Sequence, residues 1–178
     1  MTAPAFHDLT AIAPLETERL ILRVPEEGDW PAHFAFAQSP AATRFMGGPT
    51  DRWRAWRSFT STLGHWVLRG YGFWQVLEKT TGTRVGKVGI INHEMWPEPE
   101  LGWHLYEGST GKGYATEAAL AARDDATARL GLGPLISQID PDNTASKAVA
   151  TRLGATFETM ATLLGETAEV WRHPATAP

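Results

Sequence analysis

The feature that most limits the fold is a change of hydrophobic period on either side of a short glycine-containing segment. Before it, residues 100–105 alternate between apolar and polar, as a half-buried strand does. The segment itself reads Thr110-Gly111-Lys112-Gly113-Tyr114-Ala115. After it, small and apolar residues recur at helical spacing until Gly131, which predicts a helix that ends there. The chain must therefore turn from a strand into a helix at this segment. The predicted buried face of that helix comprises Ala115, Ala118, Ala119, Ala122, Ala126 and Leu130.

A turn of this kind is suited to binding a phosphate group. The backbone N–H groups from about Gly111 to Ala115 lack helical partners, and the helix dipole adds positive charge to them. Glycine at 111 and 113 lets a diphosphate approach the backbone closely. Two other glycine motifs do not fit: a P-loop needs Ser or Thr where Gly113 stands, and a dinucleotide fingerprint needs glycine at Thr116. A strand-to-helix corner that binds nothing remains the alternative.

The remaining segments predict an α+β fold. Apolar runs bounded by turn residues predict strands at 19–23, 72–78, 84–92, 100–105 and 135–139, and two more near Phe157 and at 168–173. Further helices are predicted after caps at Asp29, Thr50 and Asn143. A three-strand meander followed by strand, helix, strand and helix gives a mixed sheet of about seven strands with about four helices.

Two of these helices have predicted buried faces. The face of the helix after Thr50 comprises Trp56, Phe59, Leu63, Trp66 and Val67. The face of the helix after Asn143 comprises Ala145, Ala148, Val149 and Leu153.

Composition narrows the class of protein. At 178 residues the chain suits one domain, predicted at 15–174 after a lead-in at 1–14. A net charge of −4 disfavours a nucleic-acid surface, and no apolar run reaches the ~18 residues of a membrane span. The N-terminus lacks a secretory signal, so a cytoplasmic location is expected. Cysteine is absent and the six histidines lack metal-binding spacing, so neither a metal nor a thioester on the enzyme is expected. A homodimer is left open.

Four motifs in order resemble the GNAT acetyltransferase superfamily, in its ribosomal-protein N-terminal acetyltransferase (RimJ/RimL-like) branch. The segment 111–118 resembles motif A of that superfamily, and the similarity covers about 15–173. The other matching sequences are Glu16-Thr17-Glu18-Arg19-Leu20-Ile21-Leu22-Arg23, Glu100-Leu101-Gly102-Trp103, and Asn143-Thr144-Ala145-Ser146 with Arg152-Leu153-Gly154. The resemblance implies a three-layer fold with a mostly antiparallel sheet, and acetyl transfer from acetyl-CoA.

The resemblance also implies positions for the cofactor. The backbone of Trp103 and Leu105 would pair with the pantetheine arm, and Asn143 and Ser146 would contact it nearer the thioester. The pyrophosphate would lie on the amides of the turn and first helical turn, namely Gly111, Lys112, Gly113, Tyr114, Ala115 and Thr116. This chain departs from the family at two positions: Thr110 replaces a long polar side chain, and Ala150 stands where many members have a catalytic tyrosine.

Two side chains are candidates for the chemistry. Ser146 is the hydroxyl that would assist the departing thiolate, and its alternative role is capping a helix start. Glu100 is the candidate base or ammonium ligand, and its alternative is a solvated charge at a strand end. A peptide α-amine with a pKa of ~8 needs little help, whereas a lysine amine near ~10.4 costs roughly 4 kcal/mol to deprotonate.

The acceptor is expected to be a primary amine, either a protein N-terminus or a small molecule. In the family it enters beside segments that correspond here to 36–48 and 160–165. They include Phe45, Met46, Met160, Leu163 and Leu164, which suit packing as well as binding. The rival function is a non-catalytic module that binds or senses acyl-CoA.

Overall fold

The computed structural model describes residues 6–175, and its eight strands form one sheet. The order across the sheet is β1-β2-β3-β4-β5-β6-β8-β7, and only β5 and β6 run parallel. The strands are β1 Leu15–Glu16, β2 Leu20–Arg23, β3 Phe73–Glu78, β4 Arg84–Ile91, β5 Glu100–Leu105, β6 Ile136–Ile139, β7 Thr156–Leu163 and β8 Glu166–Arg172. The predicted mixed, mostly antiparallel sheet is confirmed.

Helices cover both faces of the sheet. They are α1 Trp30–Gln38, α2 Pro40–Thr43, α3 Arg52–Arg69, α4 Tyr114–Leu130 and α5 Thr144–Arg152. The alanine face of α4 packs in the main core with Leu101 of β5, while Phe36 of α1 stacks on His104. Since residues 101 and 104 point to opposite faces of one strand, α1 and α4 lie on opposite sides of the sheet. The three-layer fold predicted by the resemblance is present.

One predicted helix cap is wrong, and the other is at the predicted N-cap position but makes no cap hydrogen bond with its side chain. Helix α3 is capped by Asp51, whose carboxylate accepts from the Arg54 amide at 2.8 Å, and not by Thr50. Asp29 does not cap α1 with its side chain, because that fully buried carboxylate binds Arg23 and Arg84. Burial alone would raise the pKa of Asp29, but hydrogen bonds from these arginines and from the Glu26 amide lower it. An ion pair anchors the start of α1 instead.

Two predicted faces need correction. In α5, Ala145 is exposed at the edge of a cleft and Ala150 is fully buried, because the helix packs through its C-terminal half. In α3, Phe59 and Trp66 are buried as expected, but Trp56 is 37% exposed beside Trp30. Strand β1 and helix α2 were not expected, since two to four residues carry no readable period.

The predicted lead-in has contacts with the domain. The His7 amide donates to Val67 O at 3.0 Å, and Leu9 and Ile12 pack against the main core. Residues 1–5 lie outside the described part, and the boundary at 15 stays a prediction. No helix within 6–175 is both long and apolar enough to cross a membrane.

Candidate active site

Strands β5 and β6 separate shortly after they meet. They pair at Glu100 and Ile136, where the Ile136 amide donates to Pro99 O at 3.3 Å. From there both strands line a cleft of about 740 Å³ that reaches the start of α4 on one side and α1 on the other. An opening inside a sheet exposes backbone donors and acceptors that an extended ligand can use.

Side chains occupy the positions where the next ladder bond would form. A continued parallel ladder would join the Gln138 amide to Leu101 O. Instead, Ser137 Oγ donates to Leu101 O at 2.6 Å, and the Gln138 amide donates to Glu100 Oε1 at 3.2 Å. The buried His173 ring also bonds Ser137 Oγ at 2.8 Å. These side chains satisfy the freed backbone groups and hold the strands apart.

Glu100 is buried at the apex of this opening, so of the two roles left open for it the solvated strand-end charge is wrong. Its Oε2 accepts from the Trp96 indole and the Gln138 side chain, and its Oε1 from the Gln138 amide. Burial raises the pKa of Glu100, which these hydrogen bonds only partly offset. Since a carboxylate oxygen can accept twice, Oε1 retains room for one more donor. Such a group can bind an ammonium or take its proton.

The glycine turn forms the opposite end of the cleft. Gly111 and Gly113 have φ of 76° and 82°, a left-handed conformation that glycine adopts without strain. Gly113 precedes α4, and no side chain caps that helix, so its first-turn N–H groups are left for a ligand. The turn's cleft-lining residues are Thr110, Gly111, Gly113, Ala115 and Thr116. The site therefore fits a diphosphate bound by the backbone.

Lys112 and Tyr114 do not line this cleft with their side chains. The buried Tyr114 hydroxyl donates to Glu78, and Lys112 O accepts from Arg19 Nη1 at 2.9 Å. The predicted cofactor contact of these two residues within the cleft is therefore through their backbone amides. The matched motif at residues 16–23 thus has a structural role, because its Arg19 joins the glycine turn to strand β2 of the sheet.

Arg19 also binds Glu117 in the first turn of α4. The Arg19 Nε and amide donate to its two carboxylate oxygens at 2.7 and 2.9 Å, and Thr17 adds a hydroxyl. Burial would raise the pKa of Glu117, but these hydrogen bonds lower it. The resulting clamp fixes the orientation of the glycine turn.

Ser146 and Asn143 lie at the start of α5, across the cleft from the glycine turn. Asn143 Oδ1 caps the helix by accepting from the Ser146 amide at 3.0 Å, as predicted for the cap. Trp103 Nε1 donates to Ser146 Oγ at 3.2 Å. Because the oxygen already accepts a hydrogen bond, the hydroxyl proton is free to point at a ligand.

The structure brings most of the predicted site residues to this one cleft. Those that line it are Glu100, Trp103, Leu105, Gly111, Gly113, Ala115, Thr116, Asn143 and Ser146. Of the predicted acceptor segments, the first lines it through Phe36, Ala41, Ala42, Phe45 and Met46, but 160–165 does not. Strand β7 is at the edge of the sheet, and both Met160 in it and Leu164 in the turn after it are exposed. Residues 6–175 contain no group of three or more metal-binding side chains.

Sequence reasoning missed Ser137, Gln138 and His104. The first two are adjacent polar residues inside the short apolar strand Ile136–Ile139, and that interruption was the available signal. His104 stands at an inward position of β5, but its neighbours come from distant segments. Only the tertiary structure shows what these side chains contact.

Comparison with known proteins agrees with this geometry. A family model described as the acetyltransferase (GNAT) domain matches residues 19–156. The crystal structure of an acetyltransferase from Agrobacterium tumefaciens strain C58 is similar with a TM-score of 0.84 and 41% identity, covering 92% of this chain and 95% of that one. A Bacillus subtilis protein, YkkB, is 27% identical over 93% of this chain and 94% of its own length.

The ribosomal-protein branch is among the structural neighbours. RimL, a ribosomal L7/L12 α-N-protein acetyltransferase solved with coenzyme A, has a TM-score of 0.71 at 21% identity, over 88% of this chain and 93% of that one. At that identity the likeness shows a common fold. The predicted resemblance and enzyme class are confirmed: the chain belongs to the GNAT acetyltransferase family and is an acyltransferase.

Proposed function

We propose that this enzyme transfers the acetyl group of acetyl-CoA to a primary amine by direct attack in a ternary complex. The acceptor is a protein N-terminal amine or a small-molecule amine. One observation carries the proposal: a single cleft joins an uncapped helix start at Gly113 to the buried carboxylate of Glu100. A diphosphate-bearing donor and a cationic acceptor can therefore meet in it.

The donor is held mainly by backbone. The N–H groups of the glycine turn and of the first turn of α4 receive the pyrophosphate, and Arg19 keeps that turn in place. The unpaired edge of β5 at Trp103 and Leu105 receives the pantetheine arm. Bound acetyl-CoA supplies an activated thioester, the acceptor supplies the attacking amine, and the chain binds and orients both.

Glu100 prepares the acceptor. Its free Oε1 position binds the ammonium group, and the carboxylate takes a proton as the amine becomes nucleophilic. The raised pKa of this carboxyl brings it closer to the pKa of the amine, which makes the proton transfer less uphill. For an α-amine of pKa ~8 this requirement is small.

Ser146 stabilises the leaving group. Its hydroxyl, fixed by Trp103 Nε1, donates a hydrogen bond toward the sulfur as negative charge develops there. A thiol with a pKa of ~8.5 leaves as thiolate without full protonation, so Ser146 is a hydrogen-bond donor more than an acid. Since the chain has no cysteine, the acetyl group cannot rest on an enzyme thiol.

The test is an acceptor screen in which mass spectrometry detects acetylated amines and a thiol assay detects released CoA. Wild type should turn over at least one class of primary amine, and Ser146→Ala should lower kcat about tenfold. Thr151→Ala is the matched control, because this exposed hydroxyl of α5 bonds only Lys147 O of its own helix. Tight acetyl-CoA binding without turnover of any amine would favour the non-catalytic module instead.

A further inference from the structure

A buried basic cluster lies behind the acceptor half of the cleft, the part lined by Glu100, Gly102 and His104. It consists of Lys87 on β4, His104 on β5 and His33 on α1. Lys87 is 7% exposed, and its Nζ lies 5.6 and 5.4 Å from the ring centres of Phe36 and Phe73. Within residues 6–175 the contacts found for its Nζ are these two aromatic rings, with no salt bridge or hydrogen bond. A lysine side chain that is buried to this extent without a counter-ion is unusual in a folded protein.

The two histidines of the cluster are also incompletely bonded. His33 Nε2 and His104 Nδ1 are buried without partners among the described residues. Burial lowers the pKa of Lys87 to about 8 and that of His33 to about 3, and burial with nearby Lys87 and His33 lowers the pKa of His104. Neutral His104 lines the cleft, so with its proton on Nε2 it offers a donor there. Unpaired buried polar groups of this kind point to a missing ligand.

The cluster and Glu100 stand at two ends of one slot on the same face of the sheet. Glu100, Gly102 and His104 alternate along β5, and Lys87 is the cross-strand partner of His104. Between the ends the floor is apolar, because the Phe73 ring lies against Gly102. Glu100 and His104 are four positions apart along the strand, so their Cα atoms are about 13 Å apart. The slot is acidic at one end and basic at the other.

We propose that the basic cluster binds a carboxylate of the acceptor, so that the preferred substrate is a peptide-like amine with an acidic group near its third residue. The inference rests on the proposed function, because it assumes that the amine reacts beside Glu100. An extended peptide advances about 3.4 Å per residue, so an acidic side chain at the third position spans the remaining distance. The carboxylate then hydrogen-bonds His104 and gives Lys87 its counter-ion, while the ammonium faces Glu100.

The experiment compares two tripeptide amides, Ala-Ala-Asp and Ala-Ala-Asn, which differ only in the charge of the third side chain. Wild type should acetylate the aspartate peptide with a kcat/KM at least about tenfold higher. Lys87→Met should remove this preference and leave turnover of the asparagine peptide within about twofold. The variant should fold, since methionine fills the space of a buried cation that has no partner. Lys79→Met, which removes a lysine near Glu16 outside the cleft, should keep the preference.

A second measurement does not need turnover. Calorimetry with the N-acetylated forms of both peptides reports the carboxylate site even if neither peptide is acetylated. Stronger binding of the aspartate product by wild type, lost in Lys87→Met, supports the subsite whatever becomes of the proposed function. Equal kcat/KM for the two amines together with equal or undetectable binding of the two products would overturn it.

Discussion

The donor and acceptor halves of the cleft are built from different parts of the polypeptide. The donor half presents backbone N–H groups at Gly111, Gly113 and the start of α4, and Asn143 and Ser146 add polar side chains at the start of α5. The acceptor half presents the side chains of Glu100 and His104 between aromatic and methionine walls. Binding by backbone N–H groups depends on the local backbone conformation, whereas binding by ionisable side chains depends on how deeply they are buried and on which groups they contact. The two halves should therefore fail in different ways when they are mutated.

The donor and acceptor halves meet where β5 and β6 separate, and the side chains at that point serve both halves. Ser137 and Glu100 take the two backbone groups that would otherwise close the ladder between β5 and β6. The same carboxylate thus opens the donor edge of β5 and faces the acceptor. A substitution that keeps its shape but removes its charge should spare the first role and lose the second.

The largest effect is expected at the donor half from Gly113→Val. At φ of 82° any side chain is strained, a β-branched one most, and a Cβ would also meet Arg19 Nη2 at 3.3 Å. Acetyl-CoA affinity should fall by more than about 100-fold, as measured by calorimetry. Thr110→Ala is the control, with a change of less than about twofold, because no side-chain contact is assigned to that residue. Unchanged affinity in the valine variant would remove the backbone site.

A smaller effect is expected at the acceptor half from Glu100→Gln. The glutamine carbonyl can still accept from the Gln138 backbone amide, while its NH2 group faces the Trp96 indole and the Gln138 side chain and loses those two bonds. Because the bond at the ladder position is kept, acetyl-CoA affinity should stay within about threefold while kcat falls about 100-fold. Glu98→Gln, which alters a neighbouring carboxylate bound to Arg172, should leave kcat near wild type. Equal losses of donor affinity and turnover would mean that Glu100 serves only to hold the strands apart.

The pH dependence of kcat/KM, compared between wild type and Glu100→Gln, tells whether Glu100 is a base or only a structural group. Burial raises the pKa of Glu100, and only its ionised form can accept a proton. The kcat/KM of wild type should therefore rise with pH through a value above that of an ordinary carboxyl, and this limb should be missing in Glu100→Gln. A limb that survives the substitution would belong to another group, such as the amine itself.

The smallest effect is expected from Arg19→Met, which loosens the donor half from outside the cleft. Losing the bonds to Lys112 O and Glu117 should raise the KM for acetyl-CoA about fivefold with kcat unchanged. Arg57→Met, an exposed arginine of α3, is the control. A fall in kcat without a change in KM would show that the clamp does not act through the turn.

The difference between the halves also explains what the sequence could predict. Glycine spacing, a period change and an Asn cap are local signals, so the turn, α4 and the cap of α5 were all found from the chain. So was the meander of β3, β4 and β5. These features decide the fold and the donor half.

The acceptor half needed tertiary information. The sequence leaves Glu100 open between a catalytic carboxylate and a solvated strand-end charge, and only the fold shows that it is buried, because Trp96 and Gln138 come from segments on either side of it. Asp29 read as a helix cap is instead part of an ion pair with Arg84, 55 residues away. Lys87 stands among the β-branched residues of a strand, and nothing local shows that it lacks a partner. Charge burial is set by distant neighbours, which a pattern along the chain does not contain.

The central claim, direct transfer within one cleft, is tested most directly by two-substrate kinetics with an accepted amine, combined with radiolabelled acetyl-CoA. Double-reciprocal plots at several amine concentrations should give intersecting lines, and protein incubated with labelled acetyl-CoA alone should carry no stable label. Parallel lines together with an acetylated protein that passes its label to the amine would contradict the account.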